Sequence, residues 1–289
     1  MTQYIGIIGY PLKHSLSPDF QQAALDYYKL DIRYVVWETE AKNLSFVINQ
    51  LRQSQNLGAN VTVPYKEKVL SLIDDVDSWA SLIGAVNTIV NLNGKLVGFN
   101  TDAPGFVQAL REDAEFEPEN KRVVILGAGG AARAVSFALL HERVSSVLIT
   151  NRTLARVETL VDSLKMHAAD EKIRTEISAL PLHDMKLREA IEHCQLIVNC
   201  TTLGMKYSSK QGESPLGVDL IPEGALVYDL VYNPLETPLL RMAKEAGADV
   251  VGGLSMLLYQ GAASFKIWTN KKAPIDIMSS VAKQALIEK

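Results

Sequence analysis

Cysteine is scarce in this chain: 289 residues hold only Cys194 and Cys200. Two cysteines cannot build a disulfide framework, and the five histidines do not gather with them at metal-ligand spacing. A reducing, cytoplasmic setting without a structural metal is therefore expected. Long hydrophobic runs are missing as well. The longest mostly apolar stretch, Val123 to Leu140, is interrupted by Arg133 and holds three glycines, which excludes the ~20-residue lipid-facing helix a bilayer requires. The opening MTQYIGIIGYPLKH has no basic leader and reaches Gly and Pro too early for a signal peptide, so the mature protein is expected to start near Met1. Excess charge of one sign is lacking too. Lys plus Arg number 29 against 33 Asp plus Glu, a net charge of −4, which leaves no basic field to attract a phosphate backbone or an anionic membrane. Neither nucleic acid nor membrane is expected as a partner. Internal repeats and low-complexity tracts are also absent.

What is present is an ordinary globular composition, 47% hydrophobic and 21% charged, in a chain long enough for about two domains of ~150 residues. Tyr4 to Ile8 reads as a buried strand ending at Gly9-Tyr10-Pro11, followed by a helix over 19 to 29 and a strand at Tyr34 to Glu38. A helix near 43 to 53 and a strand at Ala59 to Val63 come next, and Pro64 is expected to open another helix. Strand alternating with helix implies an α/β fold with a parallel sheet. Val86 to Asn91 and Lys95 to Phe99 break that alternation, because Asn93-Gly94 between them is a strong hairpin signal. A helix at 103 to 113 then leads to a second unit. It opens at Arg122-Val-Val-Ile-Leu-Gly-Ala-Gly-Gly-Ala-Ala and continues with a strand at Val147 to Thr150, a helix from 153 to 166, and strands near 195 to 199 and 225 to 230. The polar segment Tyr207 to Gly217 reads as a mobile loop.

Gly127, Gly129 and Gly130 directly follow a strand and directly precede a helix, the context in which a glycine pattern points to a nucleotide. One small residue allows the tight turn, another lets the backbone approach a pyrophosphate, and the helix N-terminus supplies unpaired N–H groups and a positive dipole end. Ala132 stands at the third glycine position, which the motif accepts. NAD-selective versions carry an acidic residue at the end of the next strand. This chain has Asn151-Arg152-Thr153 there, with Arg156 one turn later. A carboxylate repels a 2′-phosphate and a guanidinium binds one bidentately, so NADP is expected over NAD.

Polar clusters in the first hundred residues are harder to attribute to packing. Ser15 and Ser17 are two apart, so in an extended segment both hydroxyls face one way, and Asn60 and Thr62 repeat that spacing on an apolar strand. A half-solvated sheet face has the same alternation. Lys66, just past Pro64 at the carboxyl end of that strand, occupies the place where open α/β sheets bind ligands. A lysine in a first helical turn is poorly placed for the helix dipole, so helix stability does not account for it. With a two-residue turn at Asn93-Gly94, Asn87 faces Asn100 and Ala85 faces Asp102, which puts Asn87, Asn100 and Asp102 on one face. Asp102 could equally cap the helix that follows it, and the two roles are compatible.

These residues carry a family resemblance. HSLSP at 14 to 18, NVTVPYK at 60 to 66, GAVNT at 84 to 88, NTD at 100 to 102, GAGGAA at 127 to 132, NRT at 151 to 153, YDLVYNP at 228 to 234 and the run from Gly252 through Gln260 resemble, in order and over nearly the whole chain, the motifs of shikimate dehydrogenases. The resemblance implies reversible reduction of 3-dehydroshikimate to shikimate with NADPH, in the pathway to chorismate and the aromatic amino acids. It also implies a two-domain α/β architecture. An α/β substrate-binding domain with a mixed, mainly parallel sheet would occupy 1–102, a Rossmann NADP-binding domain 103–254, and a C-terminal helical segment packing back on the substrate domain 255–289.

By the same resemblance Lys66 and Asp102 match the catalytic pair, and Ser15, Ser17, Asn60, Thr62, Asn87, Thr101, Tyr232 and Gln260 match substrate-holding positions. Gly127, Ala128, Gly129, Gly130, Ala131, Asn151, Arg152, Thr153 and Arg156 would hold the cofactor, with Leu230, Gly253 and Met256 toward its nicotinamide end. For Leu230 and Met256 a plain core role stands beside that one.

The chemistry suits these residue types. A polyhydroxylated anionic ring calls for many short hydroxyl and amide partners plus a cation, and hydride transfer to its ketone builds oxyanion charge that an ammonium can stabilise and protonate. Lys66 is read as general acid/base with Asp102 as its partner. Gln21-Gln22, Ala103-Pro104 and Ser78 depart from the family's usual residues, but none is a proposed catalytic group. Two other readings remain: a quinate/shikimate dehydrogenase using NAD, against which Arg152 argues, and a non-catalytic NADP-binding regulator, against which intact Lys66 and Asp102 argue. Monomer and homodimer are both compatible with the sequence.

Overall fold

The computed structural model describes residues 2–288, and the chain divides into two compact units, Met1–Gly105 with Leu258–Lys289, and Phe106–Leu257. The first unit contains β1 (Gln3–Gly9), α1 (Ser17–Tyr27), β2 (Ile32–Glu38), α2 (Leu44–Gln50), β3 (Asn56–Val61), β4 (Asp75–Val76), α3 (Ser78–Ile83), β5 (Thr88–Leu92) and β6 (Lys95–Phe99). Helix α4 (Asp102–Glu112) carries the chain into the second unit. That unit holds β7 (Arg122–Leu126), α5 (Gly130–His141), β8 (Ser146–Asn151), α6 (Leu154–Asp170), β9 (Glu176–Pro181), α7 (Leu187–Ile191), β10 (Leu196–Asn199), β11 (Leu226–Asp229), α8 (Pro238–Glu245) and β12 (Asp249–Gly252). Helix α9 (Leu254–Thr269) returns the chain to the first unit, where α10 (Ile275–Glu288) packs on α1.

In the first unit the sheet order is β2-β1-β3-β5-β6-β4, and β5 alone runs against the other five strands. The sheet is thus mixed and mainly parallel, as the sequence implied. The reversal follows from two residues. Asn93 and Gly94 both take positive φ (54° and 93°), the geometry of the two-residue turn whose twist matches paired strands, and Thr88 faces Phe99 in the predicted register. Ile8, Ile48, Ala59, Val61, Tyr65 and Ile89 form a fully buried core with α2. Helix α3 is defined by both its ends: the Asp77 carboxylate accepts from the Ala80 N–H at 2.7 Å, and Gly84 takes the left-handed C-cap conformation.

Two local expectations are corrected. No α-helix follows Pro64: only a 3₁₀ segment forms, at Lys68–Leu72. The carbonyl of Lys66, which a helix would need for itself, accepts instead from the N–H of Val86 at 2.7 Å. Ser15 and Ser17 do not share an extended segment. The Ser15 N–H closes a turn onto Leu12, Ser17 already begins α1, and the Ser15 hydroxyl accepts from the Ser17 N–H at 3.3 Å.

In the second unit all six strands are parallel, in the order β12-β11-β10-β7-β8-β9. The chain builds outward from β7 through β8 and β9, then crosses to β10 and builds the other way. This is the doubly wound dinucleotide-binding order, and its switch point lies between β7 and β10. Strands β7 and β10 are buried along almost their whole length, and α5 buries Ala132, Ala134, Val135, Phe137, Leu139 and Leu140. That burial accounts for the apolar run from Val123 to Leu140. Among the described residues no helix is long and apolar enough to cross a membrane.

Candidate functional site

The chemical centre of the first unit is an ion pair. Lys66 Nζ donates to Asp102 Oδ2 at 2.6 Å, with side-chain exposures of 17% and 4%. Each partner is positioned by its element. Lys66 lies on the turn beyond β3, fixed by the Lys66 carbonyl bond to Val86, while Asp102 is the first residue of α4, where the helix dipole favours an anion. The sequence left capping open as a second role for Asp102. The structure gives that role to Asn100, whose Oδ1 accepts from the N–H groups of Asp102 and Ala103 at 3.1 and 3.3 Å. The Asp102 carboxylate is thereby left to Lys66 and to Asn87, whose Nδ2 donates to Asp102 Oδ1 at 2.9 Å.

Asn87 is the hub around that pair. Besides Asp102, its amide nitrogen reaches Thr101 Oγ1 at 2.8 Å and Gln260 Oε1 at 3.3 Å, and its oxygen accepts from the Thr101 N–H at 2.8 Å. Gln260 arrives because Gly105 lets α4 lie against α9: a Cβ at Gly105 would stand 2.7 Å from the Gln260 nitrogen. Behind Asn87 lies a buried layer. Asn60 accepts from Tyr34 Oη at 2.7 Å and donates to Ser264 Oγ, and Thr88 Oγ1 lies 2.7 Å from Ser264 Oγ. Burial pushes the Tyr34 phenol well above its ordinary pKa, so it stays a neutral donor.

The structure therefore brings Lys66, Asn87, Thr101, Asp102 and Gln260 into one hydrogen-bonded group, with Asn60 joined to it directly, by donating to the Asn87 carbonyl at 3.2 Å, and through Thr88 and Ser264. Thr62 lies just past the end of β3, where its N–H still bonds the Ile8 carbonyl of β1. Ser15 and Ser17 stand on the turn and first residue of α1. Thr88 and Ser264 were missed, although Gln260 and Ser264 are spaced i and i+4 on a helix otherwise mostly apolar. The unusual Gln21-Gln22 pair has a use: Gln21 is buried and donates to the Gly261 carbonyl, tying α1 to α9, while Gln22 accepts from the Tyr34 N–H.

In the second unit, Gly127 closes β7 with φ of +117° and lies against Cys200, its notional Cβ 3.2 Å from that residue's carbonyl carbon. Glycine is required there by conformation. Gly129, the N-cap of α5, has ordinary extended φ and nothing within 4 Å of a Cβ position, so nothing in the protein demands glycine at this point. The open space lies at the N-terminus of a 12-residue helix, where phosphate groups bind and backbone must be approached closely. Ala128 sits between the two glycines and Ala131 in the first turn of α5. Asn151 ends β8, and Arg152, Thr153 and Arg156 are exposed at the start of α6, where Thr153 makes no side-chain capping bond. No carboxylate ends β8. These residues fit a dinucleotide bearing a 2′-phosphate.

Leu230 follows β11 half-buried, Met256 is buried in the first turn of α9, and Gly253 lets that junction close: a Cβ there would lie 2.1 Å from the Leu230 carbonyl oxygen. Burial raises the Tyr232 phenol to about 12. The sequence reading overlooked a buried knot at the carboxyl ends of β10 and β11. Asp229, fully buried, accepts from Asn199 Nδ2 at 2.9 Å, the Val231 N–H at 3.0 Å and Thr237 Oγ1 at 2.6 Å, and Thr237 in turn caps α8. Burial raises the Asp229 carboxyl to about 6, against the pull of those three donors. It also pushes the Cys194 thiol to about 12, leaving that sulfur inert. Among the described residues no group of three His, Cys, Asp or Glu side chains could hold a metal ion.

With this geometry in place, comparison with known proteins gives concordant matches. Residues 7–89 match the family model of the shikimate dehydrogenase substrate binding domain, 110–220 that of shikimate / quinate 5-dehydrogenase, and 253–283 that of the shikimate 5′-dehydrogenase C-terminal domain. The chain is 40% identical to the shikimate dehydrogenase (NADP(+)) of Methanopyrus kandleri over 99% of its own length and 96% of the relative's. It is 42% identical to the protein of the same name from Moorella thermoacetica, over 99% and 94%. Among solved structures, shikimate 5-dehydrogenase from Thermus thermophilus in complex with NADP(H) and shikimate superposes with a TM-score of 0.84 at 37% identity, covering 98% of this chain and 99% of that one.

Proposed function

The chain belongs to the shikimate dehydrogenase family, and from that premise we propose that it catalyses the reversible NADPH-dependent reduction of 3-dehydroshikimate to shikimate, a step of aromatic amino acid biosynthesis. The observation that carries the reading is the Lys66–Asp102 contact of 2.6 Å, set within a ring of amides and hydroxyls. The first unit binds the substrate and the second binds NADP(H).

Bound NADPH supplies the hydride. As the ketone is reduced, negative charge builds on its oxygen, and the Lys66 ammonium stabilises that charge and transfers a proton from Nζ. Asp102 holds Lys66 in place through its 2.6 Å contact with Nζ. Asn87 fixes the carboxylate by its bond to Oδ1, so Oδ2 faces the ammonium. Ser15, Ser17, Asn60, Thr62, Asn87, Thr101, Gln260 and Tyr232 hold the hydroxyls and carboxylate of the ring. Such a polar site rejects analogues that leave its buried groups unpaired, each at a cost of about 1–3 kcal/mol. Gly127 through Ala131 receive the pyrophosphate, Asn151, Arg152, Thr153 and Arg156 the adenosine 2′-phosphate, and Leu230, Gly253 and Met256 the nicotinamide end.

Initial rates with shikimate and with quinate, each offered NADP and NAD, test the proposal through reduced-nicotinamide absorbance. Turnover concentrated on shikimate with NADP is expected. Absence of turnover with shikimate under either cofactor overturns the reading.

A further inference from the structure

Ser264 lies on α9 one turn beyond Gln260, fully buried, and it has no part in the chemistry assigned to the site. Its hydroxyl nonetheless meets four groups. It donates to the Gln260 carbonyl at 2.9 Å, receives Asn60 Nδ2 at 3.1 Å, and lies 2.7 Å from Thr88 Oγ1 and 3.1 Å from Thr101 Oγ1. A hydroxyl has one proton and two acceptor positions. With the Ser264 proton on the Gln260 carbonyl, the 2.7 Å contact to Thr88 takes the Thr88 proton in preference to Asn87 Oδ1 at 3.2 Å, and Asn60 fills the second acceptor position. No place remains on Ser264 for the proton of Thr101.

Thr101 Oγ1 already accepts from Asn87 Nδ2 at 2.8 Å. Its other neighbour, Thr88 Oγ1, stands 3.4 Å away and itself receives Asn60 Nδ2 at 3.3 Å. Inside the protein the Thr101 proton is thus left with only this long 3.4 Å contact, beside Asn87 and the Lys66–Asp102 pair. We propose that Ser264 is a positioning residue for the substrate: by saturating itself with Thr88 and Asn60 it turns the Thr101 hydroxyl outward, as a donor to a hydroxyl or carboxylate oxygen of the ring. Ser264 also fixes the Asn60 amide, whose oxygen is held by Tyr34. The proposal rests on the shikimate reading of this site.

The test uses the full chain with Ser264→Ala, Ser264→Cys and, as a control, Thr269→Ala. Thr269 lies on the same helix and makes the same kind of bond to a carbonyl four residues back, at 2.7 Å, but touches none of the cluster. Loss of one oriented hydrogen bond to substrate is worth about tenfold in affinity. Ser264→Ala is therefore expected to raise the KM for shikimate about tenfold, leaving kcat within about threefold and NADPH affinity, read by fluorescence, unchanged. Ser264→Cys keeps the volume with a weak hydrogen-bonding group, and carries the same expectation should the alanine variant not fold. Thr269→Ala is expected to lower Tm without moving KM. A wild-type KM in either Ser264 variant, or an equal KM rise in Thr269→Ala, overturns the proposal. Failure of the unsubstituted protein to turn over shikimate is a separate result, and refutes the reading of the site itself.

Discussion

Replacing Lys66 by methionine isolates the chemistry assigned to its ammonium. Methionine keeps an unbranched apolar stem of similar length and removes the charge and the proton. Two effects are expected, and they are separable. The first is kinetic: a positioned general acid contributes about 10²–10⁴ in rate, or ~3–5 kcal/mol of barrier. kcat with shikimate and NADP should fall by about that factor, and kcat/KM with it, because the interaction is made in the transition state. The second is on stability. Asp102 keeps only 4% of its side chain exposed and loses its cation, yet it retains Asn87 and the start of α4. A carboxylate so placed stays partly compensated, so the loss should fall below the ~3–5 kcal/mol seen when a buried pair is broken outright. Stopped-flow and steady-state rates give the first, and urea unfolding gives the second. NADPH binding, measured by fluorescence, should not change, because Lys66 and the glycine loop lie in different units. A kcat reduced less than tenfold at saturating shikimate refutes the role given to Lys66, and so does a loss of activity explained wholly by unfolding.

Three further outcomes follow from the second unit. Gly129→Asp should leave stability within about 0.5 kcal/mol, because nothing lies within 4 Å of the new Cβ and Asp is a good N-cap, yet abolish NADP binding by repelling the pyrophosphate; Gly127→Ala should destabilise by ~1 kcal/mol or more from its positive φ. Calorimetric titration beside thermal unfolding distinguishes the two, and equal effects on binding and stability in both variants would contradict the assignment. Arg152→Ala should weaken NADP by about 10–100-fold while sparing NAD, since a bidentate charge-assisted contact is worth ~1.5–3 kcal/mol; the ratio of kcat/KM values for the two cofactors reads this directly. Asp229 has a folded pKa of about 6, raised from 3.8, so the folded state holds the extra proton between those values. Its contribution to stability falls as pH rises through that window, by about 3 kcal/mol in all, and is flat above it. Urea unfolding of wild type and Asp229→Asn from pH 4 to 7 should show a difference that varies with pH only in that range; parallel curves would refute the shift.

Features that depend on neighbours in sequence were legible before any coordinates. The hairpin register came from Asn93-Gly94 because two adjacent residues able to take positive φ suffice to make that turn. The strand, glycine loop and helix from Arg122 to His141 were equally plain, since hydrophobic pattern and turn chemistry agree there. The helix expected after Pro64 was not formed, because the Lys66 carbonyl is claimed by Val86, about twenty positions away, and no local pattern reports that competition. The serines of HSLSP failed as an extended pair for a similar reason: the turn onto Leu12 outweighs the alternation that their spacing suggested.

The candidate site divides along the same line. Residue types and motif order alone pointed to Lys66, Asp102, the glycine loop and Arg152, because the chemistry of a polar anionic substrate and a 2′-phosphate demands those side chains. Tertiary structure alone decided that Asn100 caps α4 so that Asp102 remains for Lys66, that Gly105 admits Gln260 to Asn87, and that Ser264 meets Thr88 and Asn60. Each of these is a contest for a proton or an acceptor among residues as many as 204 positions apart in the chain. A sequence states which donors and acceptors exist; only the packed fold determines which of them are close enough to be spent on one another and which are left for a ligand.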